Sequence, residues 1–113
     1  MFAVTRLRVS PASAAGLPAD LDRLLAALAA RPGFLGGESG RCADDPELWA
    51  LVTRWNGVGA YRRALSAAEV KMAGAPVWLH AVDVATFDLT LEDGTVQSVQ
   101  VWVDENLLVC DFG

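Results

Sequence analysis

Hydrophobic positions recur along the chain with two distinct periods, and the switches between them mark out the elements. "FAVTRLRV" (Phe2 to Val9) is rich in β-compatible residues and stops at Ser10-Pro11. In "PADLDRLLAALAAR" Leu21, Leu24, Leu25 and Leu28 fall at helical spacing, which predicts an amphipathic helix ended by Pro32-Gly33. "FLGGESGRC" reads as a glycine-rich, strongly bent strand closed by the turn signal "ADDP". The next strand, "LWALVTRW" (Leu48 to Trp55), is unusual. Alternation puts Trp49, Leu51, Thr53 and Trp55 on one side and Leu48, Ala50, Val52 and Arg54 on the other, and neither side looks like a water face. Such a strand needs structure both above and below it.

Asn56 is the expected N-cap of a second helix with Val58, Tyr61, Ala64, Leu65 and Ala68 on one face, Arg63 opposite and Arg62 at the edge. Ser66 and Glu69 have capping-box spacing, so a kink or restart is expected there. Gly74 to Pro76 should stop the helix. A long strand, "VWLHAVDVATFDLTLE" (Val77 to Glu92), then reaches the hairpin signal Asp93-Gly94 and returns as "TVQSVQVWV", with "LLVCDF" as a further edge strand. The order β-α-β-β-α-β is the ferredoxin-like split βαβ: an α+β fold with an antiparallel sheet and two helices on one face. Residues 1–113 form one domain with a C-terminal hairpin extension. Its sheet should have one bare face, so the helix-side half of "LWALVTRW" packs within the chain and the other half meets the sheet of a second subunit.

Composition sharpens this picture. Hydrophobic residues make up 53% of the 113, yet no apolar run approaches the roughly 20 residues of a membrane helix, so the surplus points to a homodimer and not to a membrane. A net charge of −5 with nine scattered Lys and Arg excludes nucleic acid as a partner. Cys42 and Cys110 have no His or second Cys at metal spacing and read as reduced, small hydrophobes, so no metal site is expected. Arg6 and Arg8 interrupt what would have to be the apolar core of a secretory leader, so a cytoplasmic location is expected.

At "RPGFLGG", "DDPELWALVTRW" and "GAYRRALSAAEVK" the sequence resembles the antibiotic biosynthesis monooxygenase family, small dimeric α+β barrel proteins, over residues 2 to 90. The resemblance implies a pocket between helices and sheet and oxygen chemistry on an aromatic, polyketide-like or quinol small molecule, with no cofactor. Trp55 looks like the strand-end tryptophan of the phenol-oxidising members, and Tyr61 like their helix tyrosine. Where those members carry an asparagine and an arginine, this chain has Leu51 and Ala75. Haem-degrading relatives use an asparagine in the first strand and a histidine on the second helix, and Thr5, Leu7 and "SAAEVKM" supply neither.

A phenol that reacts with dioxygen must first lose a proton, so the site needs an apolar wall, a proton acceptor and donors for the developing charge. The candidates for catalysis are Tyr61, Trp55 and His80; Trp49, Arg62 and Arg54 are candidates for substrate binding. His80 is placed in a strand beside Trp78, Val82 and Val84, and Arg62 is the best placed of the arginines for an anionic substrate. Asp83 and Asp88, five apart, do not share a strand face and form no carboxylate pair. The competing account is a dimeric binding or interaction domain of the same fold, in which the tryptophans only fill the core.

Overall fold

In the computed structural model the described residues are 1–87 and the strands Ser98–Val103 and Asn106–Asp111. The element order is β1 (Phe2–Arg8), α1 (Pro11–Ala14), α2 (Leu17–Ala29), β2 (Phe34–Arg41), β3 (Leu48–Trp55), α3 (Val58–Ser66), α4 (Ala68–Trp78), β4 (Ala81–Phe87), β5 (Ser98–Val103) and β6 (Asn106–Asp111). β1 to β4 form one antiparallel sheet in the order β2-β3-β1-β4, the ferredoxin-like arrangement the pattern predicts. β5 and β6 pair as a separate antiparallel hairpin. The turn signal Asp93-Gly94 lies outside the described residues.

Of the four leucines at helical spacing, Leu21, Leu24 and Leu28 are buried and Leu25 is half-buried. Leu17, Leu21, Leu24 and Leu28 are buried in one stripe against Ala3, Leu7, Val9 and Leu51 of the sheet and Val70 and Val77 of α4. Each fully buried leucine contributes about 1.5–3 kcal/mol of transfer free energy. After α2 the chain reverses at Gly33, whose φ of 89° lies in the region that glycine adopts without strain. A Cβ at Gly33 would also stand 2.6 Å from the Ala60 Cβ, so this turn brings β2 and α3 together.

Several local expectations are corrected. α3 begins at Val58 with extended Gly57 at the cap, so Asn56 lies one residue outside, and Val58 is exposed instead of facing inward. The expected restart occurs, because Ala67 is extended between α3 and α4. It is not a capping box, since the Ser66 hydroxyl donates backward to the Arg63 carbonyl at 2.7 Å. The helix also continues through Pro76 to Trp78, where a strand from Val77 is expected. The last turn is held by tertiary packing: Val77 is fully buried in the core, and the Trp78 indole lies over Gly74, where any Cβ would collide with it. Pro76 forfeits one helical hydrogen bond, but the residue whose carbonyl loses it, Met72, is exposed to water.

β3 is buried on both sides, as its pattern requires. On the side away from the helices Leu48, Ala50 and Val52 are 2%, 0% and 1% exposed, and Phe2 and Val4 of β1 are buried as well. The middle of this face is thus apolar, as the pattern of β3 requires. Two ion pairs flank this face, Arg6 with Asp83 and Arg54 with Glu38. Apolar side chains are exposed instead along the β4 flank, at Leu79, Val82 and Val84. Among the described residues no helix is long and apolar enough to cross a membrane.

Candidate functional site

The corner between β3 and α3, "TRWNGVGAY", gathers the aromatic rings. Trp55 ends β3, where its backbone N–H donates to the Met1 carbonyl at 2.9 Å and its side chain is 0% exposed. Two residues back on the same strand face, the Thr53 hydroxyl accepts the indole N–H at 2.8 Å. Phe34, the first residue of β2, meets the Trp55 ring edge-on at 5.2 Å between centroids and 83° between planes. Tyr61, in the first turn of α3, meets it on another side at 5.8 Å and 56°. A strand end followed directly by a helix start is why six residues of separation become a ring contact.

The Tyr61 hydroxyl is the chemically distinctive atom of this cluster. The residue is 6% exposed, and burial pushes the phenol above its ordinary value of 10.0. A weaker opposing effect, which lowers the value, comes from the Thr5 side chain. At neutral pH Tyr61 therefore keeps its proton and can donate it, but it cannot serve as a base.

Thr5 and Thr53 are buried polar residues on the helix side of the sheet. Thr5 stands opposite Leu51, and Thr53 opposite Ala3, so the two hydroxyls are diagonal neighbours on adjacent strands. Sequence reasoning assigned neither a role, yet a signal was there: each is the one polar residue in the apolar alternations Ala3-Thr5-Leu7-Val9 and Trp49-Leu51-Thr53-Trp55. On its other side Thr5 pairs with Val84 of β4, and cross-strand partners share a sheet face. Val84 is 50% exposed, so the helices leave that part of the face uncovered.

The other candidates lie elsewhere. His80 occupies the turn between α4 and β4, where its carbonyl accepts the Arg8 N–H at 3.0 Å. That is the opposite end of β1 from Met1 and Trp55, about 23 Å away at 3.3 Å per residue. His80 is therefore not a base for the aromatic cluster, and it shares no strand with Trp78. Trp49 pairs with Leu7 and Arg41, about 20 Å along β3 from Trp55. The Arg41 guanidinium stands 5.8 Å from the Trp49 ring centroid, and the Trp49 indole N–H is buried without an acceptor among the described residues. Arg54 is on the opposite sheet face, 3.3 Å from both Glu38 carboxylate oxygens. Arg62 is exposed on the back of α3. Of the six candidates the structure brings together Trp55 and Tyr61. Leu51 is buried in the core and Ala75 is exposed, so neither provides a polar group to the cluster.

Comparison with known proteins bears on the family and the fold. The pattern of the antibiotic biosynthesis monooxygenase family matches residues 1–75. A variant of SnoaB, a cofactor-independent oxygenase from Streptomyces nogalater, is 23% identical and superposes with a TM-score of 0.67 over 80% of this chain and 95% of its own. Rv0793 from Mycobacterium tuberculosis is 18% identical, with a TM-score of 0.68 over 80% of this chain and 96% of its own. At these identities the superpositions speak for the fold alone. No curated protein matches by sequence. With the family pattern covering well over half of its length, the chain belongs to the antibiotic biosynthesis monooxygenase family.

Proposed function

We propose that the protein is a cofactor-independent monooxygenase of electron-rich aromatic small molecules, phenols or quinols, with Tyr61 as the proton donor. The observation that carries this reading is the buried Tyr61, its phenol kept protonated by burial and its ring against Trp55, in a fold shared with a cofactor-independent oxygenase. The chemistry would begin with loss of a proton from the substrate. The resulting anion passes one electron to dioxygen, and the radical and superoxide join through a new C–O bond as a peroxide anion. That anion takes a proton and loses water as a carbonyl forms, so one oxygen atom enters the product and the other leaves as water. Tyr61, protonated at neutral pH, suits the protonation of the peroxide. The first proton must go to solvent or to the substrate's own groups, since His80 is remote. Homodimer formation in the cytoplasm belongs to the same proposal, with the exposed β4 flank as the apolar surface open to a second copy.

A second reading, a binding domain without catalysis, is favoured by the observation that the Trp55 N–H is already taken by Thr53, and by the apolar, buried Leu51 at the position where the family resemblance implies an asparagine. Oxygen uptake by chelator-treated protein with a panel of anthrones and naphthols separates the two. Uptake above the buffer rate supports the oxygenase, while saturable binding without uptake supports the binding domain.

A further inference from the structure

The burial of Tyr61 raises a question of access. Tyr61 is 6% exposed and Trp55 0%, so a small molecule meets neither ring unless part of the structure moves. β3 is an inner strand of the sheet and α2 is anchored by Leu17, Leu21, Leu24 and Leu28, so neither can move without breaking the core. α3 is held differently. Its buried residues are Ala60, Tyr61 and Ala64, and two of the three bring only a methyl group to the core. It has nine residues, and isolated helices shorter than roughly 12–15 are marginal in water, so α3 depends on those few contacts.

Both ends of α3 are suited to act as hinges. Gly57 before it is extended, with nothing within 4 Å of where a Cβ would stand, and Ala67 after it is extended as well, at φ −69° and ψ 138°. Outside these two residues the chain is fixed. The Trp55 N–H donates to the Met1 carbonyl and the Asn56 N–H to the Gly33 carbonyl, both at 2.9 Å, and the Lys71 N–H donates to the Ala67 carbonyl at 3.0 Å as α4 begins. Inside them the first turn is weak: it has no side-chain cap and no acidic residue, and the Tyr61 N–H reaches the Gly57 carbonyl only at 3.4 Å. Hinges are element-terminal positions of this kind, which absorb a change of φ and ψ between rigid pieces.

We infer that α3 is a lid, which opens as a unit between Gly57 and Ala67, carries Tyr61 out of the core and uncovers the Trp55 ring. The inference rests on the reading of Tyr61 as the group that meets substrate. Opening gives up one ring and two methyl contacts while α2, α4 and the sheet keep theirs, so it is a local event and not unfolding of the domain. The closed state is then the one that keeps water from the phenol, and the open state the one that admits and releases small molecules.

Hydrogen exchange on the intact, isotope-labelled chain, followed by nuclear magnetic resonance with no substrate present, tests this. A nine-residue helix lifted off its core does not keep its hydrogen bonds, so the Arg62 to Ser66 amides should exchange roughly 100-fold or more faster than the amides of α2 and α4, and low urea should not accelerate them. The Trp55 indole proton, identified by its loss in Trp55→Phe, should exchange along with the α3 amides, while the Leu51 and Val52 amides of β3 stay protected. Protection of α3 equal to that of α2 would overturn the inference. So would α3 and α4 opening together, which removes the hinge at Ala67, or an indole proton that keeps the protection of β3. Exchange needs no turnover, so a protein that opens α3 but takes up no oxygen would count against the oxygenase and leave the lid standing.

Discussion

Replacing Tyr61 by phenylalanine removes one oxygen atom and leaves the ring that packs on Trp55, which makes it a clean probe of the buried hydroxyl. Thr5, 2% exposed, acts on the Tyr61 phenol, and if the two hydroxyls pair in the folded protein the substitution leaves Thr5 without that partner. A net hydrogen bond contributes about 1 kcal/mol, and a buried group left unpaired costs roughly 1–3 kcal/mol. Tyr61→Phe should therefore destabilise by about 1–2 kcal/mol, or lower the melting temperature by roughly 4–8 °C for a domain near this size. Thr5→Val should act similarly. The double variant has no orphaned hydroxyl, so its loss should fall about 1 kcal/mol or more short of the sum of the two single losses. Urea melts of the four proteins measure this cycle. Additive losses, or a Tyr61→Phe protein as stable as the parent, would refute a coupled Thr5–Tyr61 pair.

Other predictions follow from the same geometry. Tyr61 is the chain's single tyrosine, so ultraviolet phenolate absorbance reports it alone, and its titration should lie above the ordinary value of 10.0. Because the folded value is raised, stability should be full below the unfolded value and fall as pH climbs from about 10, a phase missing in Tyr61→Phe. Arg6 holds the Asp83 carboxyl below its ordinary range, so this pair should stabilise above about pH 4 and lose its contribution as acid protonates Asp83. Asp83→Asn should remove that part of the acid dependence in pH-dependent melts. Gly33→Ala adds both strain at positive φ and a collision with Ala60, and should lower stability by roughly 1–3 kcal/mol in denaturant melts. Light scattering should give twice the 12.0 kDa chain mass if two copies pair, and a persistent single-chain mass removes the proposed homodimer.

What the sequence made legible was whatever depends on one strong local period. α2 is specified by four leucines at helical spacing, and the limits Leu48 to Trp55 of β3 follow from a largely apolar run between the turn signal "ADDP" and Asn56. The Trp55–Tyr61 contact was accessible for the same reason, because strand end and helix start are consecutive. The last turn of α4 was not. Pro76 and the β-compatible residues after it read as a strand start, and only the packing of Val77 and the seat of Trp78 on Gly74 keep the helix going. That shift moved His80 out of the strand and away from the cluster. Thr5 and Thr53 were visible as polar interruptions, but their meaning required the register that sets them side by side.

Oxygen uptake by folded parent and Tyr61→Phe proteins, each treated with chelator and given the same anthrone, tests the central claim most directly. The parent should consume dioxygen and form the quinone, and the variant should be slower by roughly tenfold or more, the scale of one donor lost to a developing charge. Equal rates in the two proteins, with both shown to be folded by their melts, would contradict a proton-donating Tyr61.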